Sequence, residues 1–128
     1  MKFIKRQDII KNRLTGRIIE AVVGKNNIIP SNKMTICFAT YSKETGKMEP
    51  HNHAEETVVI LNCCDGWVKF GSSKESLLEK IYLEKNMILH FDELEWHVFG
   101  YDNNGYIEAL CIYGQVDNIR PEDILQSR

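Results

Sequence analysis

The chain has 128 residues, of which 43% are apolar and 27% charged, and its formal net charge is −2. That is the composition of a globular chain long enough to enclose a hydrophobic core. Its scattered lysines and arginines lack the basic excess of a nucleic-acid surface, and short apolar runs such as Val58–Leu61 fall far below the ~20 residues needed to span a bilayer.

Taken in chain order, the opening stretch "MKFIKRQDIIKNR" is charged throughout and has no apolar h-region. No signal peptide is therefore expected, and the expected location is the cytoplasm. "RQDIIKNR" reads as a short helical turn. Apolar β-forming segments then recur: Arg17–Val23, Met34–Tyr41, Thr57–Asn62, Gly66–Phe70, Lys80–Leu83, Met87–Phe91, His97–Tyr101 and Tyr106–Tyr113. Breakers separate them at Gly24, Gly46, Asp65-Gly66, Gly71 and Asp102-Asn-Asn-Gly105, the last a hairpin signal. Many short strands with frequent turn signals imply an all-β sandwich or barrel. "NIRPEDILQ" places Pro121 ahead of Glu122 and Asp123, which suits a brief terminal helix. Neither a repeat nor a linker interrupts the chain, so residues 1–128 read as a single domain.

Cys37, Cys63, Cys64 and Cys111 include no Cys-x-x-Cys pair, and they read as reduced thiols on strands. Tyr41, Tyr106, Tyr113, Trp67 and Trp96 read as residues that fill or rim the barrel, with no single one singled out.

The chemistry concentrates in "EPHNHAEETVVIL". His51 and His53 are two apart, so on an extended segment they point to one face. A carboxylate pair, Glu55 and Glu56, follows, and then an apolar run that puts the cluster at the mouth of a core. A third histidine, His97, stands after "DELEW". Strict alternation from His51 would place Glu55 on the histidines' face. His90, flanked by Leu89 and Phe91, reads as a core or edge histidine, or as a base inside the barrel. Asp92, Glu93 and Glu95 read as a solvated loop.

The spacing resembles that of the cupin superfamily, small β-barrels of the jelly-roll type. The family's first motif runs Gly, five residues, His-x-His, three or four residues, Glu, six residues, Gly. Here Gly46 is followed by four residues, His51-Asn52-His53, two residues, Glu56, six residues and Cys63. The second motif runs Gly, five residues, Pro-x-Gly, two residues, His, three residues, Asn. Its positions are taken by Asn86, Asp92, Glu93, Leu94, His97 and Tyr101 at unchanged spacing, with only the histidine kept as a residue type. Together the motifs cover Gly46 to Tyr101, and strands on either side extend the resemblance over most of the chain.

The resemblance implies a cupin-type jelly-roll β-barrel with short terminal helical segments. It implies metal ligation by His51, His53, Glu56 and His97, with Glu55 the competitor for the carboxylate. Such a mixed N/O site suits one divalent first-row transition metal (Ni, Co, Fe, Mn or Zn). The implied partner is a small polar metabolite, processed by an isomerase, epimerase or lyase using the metal as Lewis acid, with His90, Glu95 or a tyrosine as proton carrier. An Fe(II) dioxygenase and a non-catalytic metal- or metabolite-binding protein are the alternatives. Apolar residues in both terminal segments lead to the expectation of a homodimer.

Overall fold

The computed structural model describes residues 1–126. A 3-10 turn, Arg6–Asp8, precedes eight strands: β1 (Lys11–Leu14), β2 (Arg17–Gly24), β3 (Ile29–Pro30), β4 (Thr35–Ser42), β5 (Glu56–Gly71), β6 (Ile81–Tyr82), β7 (Ile88–Phe91) and β8 (Trp96–Tyr113). Helix α1 (Pro121–Gln126) follows, opening on its proline as the sequence implies. Among the described residues no helix is long and apolar enough to cross a membrane.

All strands belong to one sheet with the order β1-β2-β4-β8-β5-β6, in which β3 pairs with β2 and β7 with β5. Its ladder does not close: β1 lies at one end of the path and β6 at the other. Pairing is antiparallel except for the short β2–β3 contact.

Period-two alternation sorts the core. Cys37, Ala39 and Tyr41 of β4 are buried, as are Val58 and Ile60 of β5 and Ile107, Ala109 and Cys111 of β8. Register aligns them in cross-strand rows, Cys37–Cys111–Val58 and Ala39–Ala109–Ile60. Each fully buried Val or Ile contributes roughly 1.5–3 kcal/mol of transfer free energy. The sheet folds over itself, so that Tyr41 of β4 meets Phe99, on the first half of β8, with ring centroids 5.0 Å apart. On the opposite face of β4 and β8 the N-terminal turn is tied down by Arg6, which donates to Glu20 and Glu108 and covers the ring of Phe38.

One expectation changes. The Asp102–Gly105 segment is not a hairpin, because β8 continues through it and opposes a single strand, β5, that likewise continues through Asp65. Asn103 and Asn104 take left-handed φ of 52° and 56°, and Asp65 53°, so turn-forming residues here serve bulges. Asp102 anchors the bend by accepting from Trp67 Nε1, Lys80 Nζ and the Tyr82 hydroxyl. A side chain at Gly105 would run into the Cys64 carbonyl oxygen, so the crossing requires glycine. The short helical turn expected in "RQDIIKNR" is present at Arg6–Asp8, and the chain then passes into β1, Lys11–Leu14, which pairs with β2 as the edge strand.

Candidate metal centre

His51 and His53 come from the loop before β5, and His97 from the start of β8. Backbone bonds hold these segments together: His51 N–H donates to His97 O (3.0 Å) and His97 N–H to His51 O (2.9 Å). Leu94 N–H donates to His53 O at 2.8 Å, and Asn52 Nδ2 donates to Leu94 O at 3.2 Å. Asn86 and Leu94, at motif positions where the resembled family has glycine, adopt φ of 72° and 66°. The left-handed turns therefore persist without glycine. Asparagine tolerates that conformation locally, and Leu94 is held in it by the two bonds to the histidine segment. The Asp92–Glu95 loop, expected to be merely solvated, thus serves as a brace for the site.

The three imidazoles converge. Ring centroids are 4.4 Å apart for His51–His97, 4.8 Å for His53–His97 and 5.4 Å for His51–His53, and one ligating nitrogen from each lies within 4.8 Å of the others. In every ring Nδ1 faces a backbone carbonyl: Glu49 O at 3.1 Å for His51, Ala54 O at 2.8 Å for His53, and Glu95 O at 2.9 Å for His97. A carbonyl only accepts, so each Nδ1 carries the proton and each neutral ring offers an Nε2 lone pair. His97 Nε2 is buried with no hydrogen-bond partner. Phe91 stacks on His97 at 4.0 Å and Tyr113 sits edge-on to His53 at 5.3 Å, which fixes the ring planes.

Glu56 opens β5 facing the same space, with Oε1 3.3 Å from His53 Nε2 and 3.9 Å from His97 Nε2. Sheet register puts Tyr113 opposite it on β8 and Phe91 opposite it on β7. Its carboxyl is hydrogen-bonded to the Tyr113 hydroxyl and the Cys111 thiol. With His53 Nδ1 already donating to a carbonyl, the 3.3 Å contact brings two acceptors together, an arrangement that calls for a proton or a cation between them. Glu55 points the other way and is exposed, with Oε2 2.7 Å from His90 Nε2.

Electrostatics favour neutral imidazoles. Burial, reinforced by the neighbouring imidazoles, lowers His97 to about 3. Burial, with His53 adding to it, lowers His51 to about 4. Burial pushes the Glu56 carboxyl up, while His53 and the Tyr113 hydroxyl pull it back. Neutral imidazole is the form that ligates a metal. Three convergent imidazoles, one with an orphaned buried Nε2, beside a buried carboxylate therefore fit a divalent transition ion.

Other sequence candidates fall elsewhere. His90 is exposed on the outer face of β7, between the Thr57 hydroxyl (2.8 Å) and Glu55, and so is not a base inside the barrel. Glu95 supplies its carbonyl to His97, while its side chain accepts from Asp92 N–H at 3.0 Å. Tyr41 is core, and Tyr106 lies on the face that carries Arg6 and Glu108. Trp67 braces Asp102, and Trp96 is half-buried at the start of β8. Tyr113 and Cys111, which touch Glu56, were not singled out by the sequence. Only strand register discloses them, because β8 pairs with β5 across a chain separation of about fifty residues.

No protein-family model matches the chain, and no curated protein sequence does. Solved structures do. A protein from Planctomyces limnophilus superposes with a TM-score of 0.69 at 12% identity, covering 91% of each chain. HppE in its Fe(II) form gives 0.68 at 11% identity, over 88% of this chain and 60% of that one. An oxalate decarboxylase variant from B. subtilis gives 0.67 at 14% identity, over 89% of this chain and 29% of that one. The chain thus spans nearly all of the first but less than two thirds of the other two, and at these identities the likeness concerns the fold. With its antiparallel, unclosed sheet superposing on these structures, this chain has a cupin-type fold.

Proposed function

We propose that His51, His53, His97 and Glu56 hold one divalent transition metal, and that the chain acts on a small polar metabolite as an isomerase, epimerase or lyase of a sugar or a keto or enol acid. The observation that carries this reading is the tautomer lock: three Nδ1–H groups tied to carbonyls leave three Nε2 lone pairs aimed at one point beside a buried carboxylate. When bound, the metal supplies Lewis acidity, polarising substrate oxygens and stabilising developing negative charge.

The chain's own groups do the rest. Phe91 and Phe99 dry one side of the site. Tyr113, whose hydroxyl is held far above its ordinary value first by burial and then by the Glu56 charge, keeps its proton at neutral pH. It lines the cavity against the histidines, and on that position its Oη takes the proton-donor role in this reading, in place of His90 or Glu95. The substrate reaches the site through that cavity.

An Fe(II)-dependent oxygenase is the second reading, supported by the Fe(II) form of HppE among the similar structures. Elemental analysis of protein purified without chelator, then a metabolite screen on the metal-loaded form, tests the first reading. Less than a tenth of an equivalent of metal after careful loading refutes it. Aerobic oxygen uptake by the iron form separates the second reading from the first, and thermal stabilisation by a metabolite without turnover marks a binding protein instead.

Pairing of two copies belongs to the same proposal. Ile10 is exposed beside the edge strand β1 and Leu14 on it, where a second edge can add. Light scattering at twice the 14.9 kDa chain mass supports pairing, and the single mass at every working concentration rejects it.

A further inference from the structure

A cavity of about 450 Å³ opens directly against His51, His53 and Tyr113, and Arg17 and Arg120 both stand in its wall. They reach it from distant parts of the chain, Arg17 from the first position of β2 and Arg120 from the residue before α1. Arg6 and Arg13 each form an ion pair with a carboxylate, Arg6 with Glu20 and Glu108 and Arg13 with Glu44. Among the described residues Arg17 and Arg120 form none. Two guanidinium groups without a carboxylate thus share one wall with the histidines. A single carboxylate side chain, that of the exposed Glu49, lies on the same wall. The charge of Arg17 is felt at both His51 and Glu56, so its field extends into the metal centre. Met48 and Ile119 add apolar lining to the same cavity.

We infer that this cavity binds a small organic acid with two anionic ends, a dicarboxylate or a phosphono-carboxylate, with one end at the histidine–Glu56 centre and the other clamped by Arg17 and Arg120. The inference rests on the metal reading above for the first end and on the two arginines alone for the second. A guanidinium presents a planar fork that matches a carboxylate or phosphonate with two parallel hydrogen bonds. A cavity of this size is within the range of small-molecule sites, and such sites combine apolar lining with a few placed polar groups. A neutral sugar would leave both guanidinium groups without a counter-charge, so this inference narrows the substrate class from sugar or acid to acid.

Malonate and phosphonoacetate serve as probes and malonamide as the uncharged control. Calorimetry is run on the Co(II)-loaded and metal-free protein, with the visible spectrum of bound cobalt reporting arrival at the metal. Malonate or phosphonoacetate is expected to bind the loaded protein and perturb the cobalt spectrum, and malonamide to do neither. Arg17→Gln and Arg120→Gln are each expected to weaken binding about tenfold or more, the usual cost of losing a charge-assisted pair, and Arg120→Gln to do so with cobalt content unchanged. Arg120 is exposed and outside the sheet, so Arg120→Gln serves even if Arg17→Gln folds poorly by circular dichroism. Unchanged affinity in Arg120→Gln, or no acid binding by the loaded wild type, overturns the inference while leaving the metal reading intact. If cobalt does not bind, the metal reading falls, and the metal-free arm then decides the arginine clamp by whether phosphonoacetate still binds in an Arg120-dependent way.

Discussion

Glu55 and Glu56 are neighbours in the chain and belong to two different clusters on opposite faces of the sheet. Outside, Glu55, His90 and Asp92 lie close enough to share an ion and are all exposed. Inside, Glu56 lies with His51, His53 and His97. The residue types are alike, yet the ring nitrogens are used differently. His90 spends Nε2 on Glu55 and Nδ1 on the Thr57 hydroxyl, so its hydrogen-bonding capacity is filled by side chains in contact with water. The inner rings spend Nδ1 on carbonyls, and Nε2 of His97 is buried with no hydrogen-bond partner. Ligand types in proximity do not distinguish a metal centre from a surface ion pair. Which nitrogen is already committed, and whether solvent competes, does.

The largest test of that contrast is a pair of substitutions. Glu56→Gln is expected to lower metal affinity on the order of 10–100-fold or more, because it removes a charged ligand whose loss matches or exceeds that of an outer-shell partner. Glu55→Gln is expected to change it little, since solvent screens an exposed carboxylate. Competition titration of both variants decides, and the reverse pattern would show that the outer cluster is the metal site.

Acid sensitivity of the metal-free protein comes next. In the unfolded chain His51 and His97 titrate near the ordinary value of about 6.5, whereas in the fold they stay neutral down to about 4 and about 3. The native state thus binds fewer protons across that window. Their contribution is present above pH 6.5 and lost as pH falls toward 4 and then 3, a change on the order of a few kcal/mol. Glu56 has the opposite sign: its raised folded value makes it a stabilising group at low pH, lost as pH rises through that value. Tm of the metal-free protein is expected to fall between pH 6.5 and 4, and His97→Phe to flatten the curve; a flat wild-type curve would contradict buried neutral rings.

Tyr113→Phe is predicted to weaken metal binding by roughly 1 kcal/mol, the net value of one hydrogen bond to Glu56, and to lower kcat by more if Oη carries the proton. Thr57→Val, which breaks the equivalent outer bond to His90, is predicted to do neither. Equal effects from both would erase the distinction between the faces. Smallest is the brace that joins them. Leu94 holds a left-handed φ that costs a non-glycine residue ~1 kcal/mol, so Leu94→Gly should raise Tm slightly and Leu94→Ala should not. A loss of metal affinity in Leu94→Gly would mean that the side chain itself holds the histidine loop.

Much was legible in the chain alone. Alternation of apolar and polar residues marked most strands, because a half-buried strand imposes a period of two. His-x-His and the distant His97 marked where polar chemistry meets the core. What pattern could not decide were the breaks in that period. Strict alternation from His51 favours Glu55, while the motif frame favours Glu56, and the turn through Ala54 resets the face so that β5 opens on Glu56. The Asp102–Gly105 stretch has hairpin residues but forms a bulge, because its flanking runs both pair with one long strand rather than with each other. Tyr113 beside Glu56, the carbonyls that fix three tautomers, and the two unpaired arginines on one cavity all depend on contacts between distant segments. Local composition specifies which groups can ligate, donate or carry charge. Only the register of β5 against β8, and the loops folded over that pair, bring those groups to a common point.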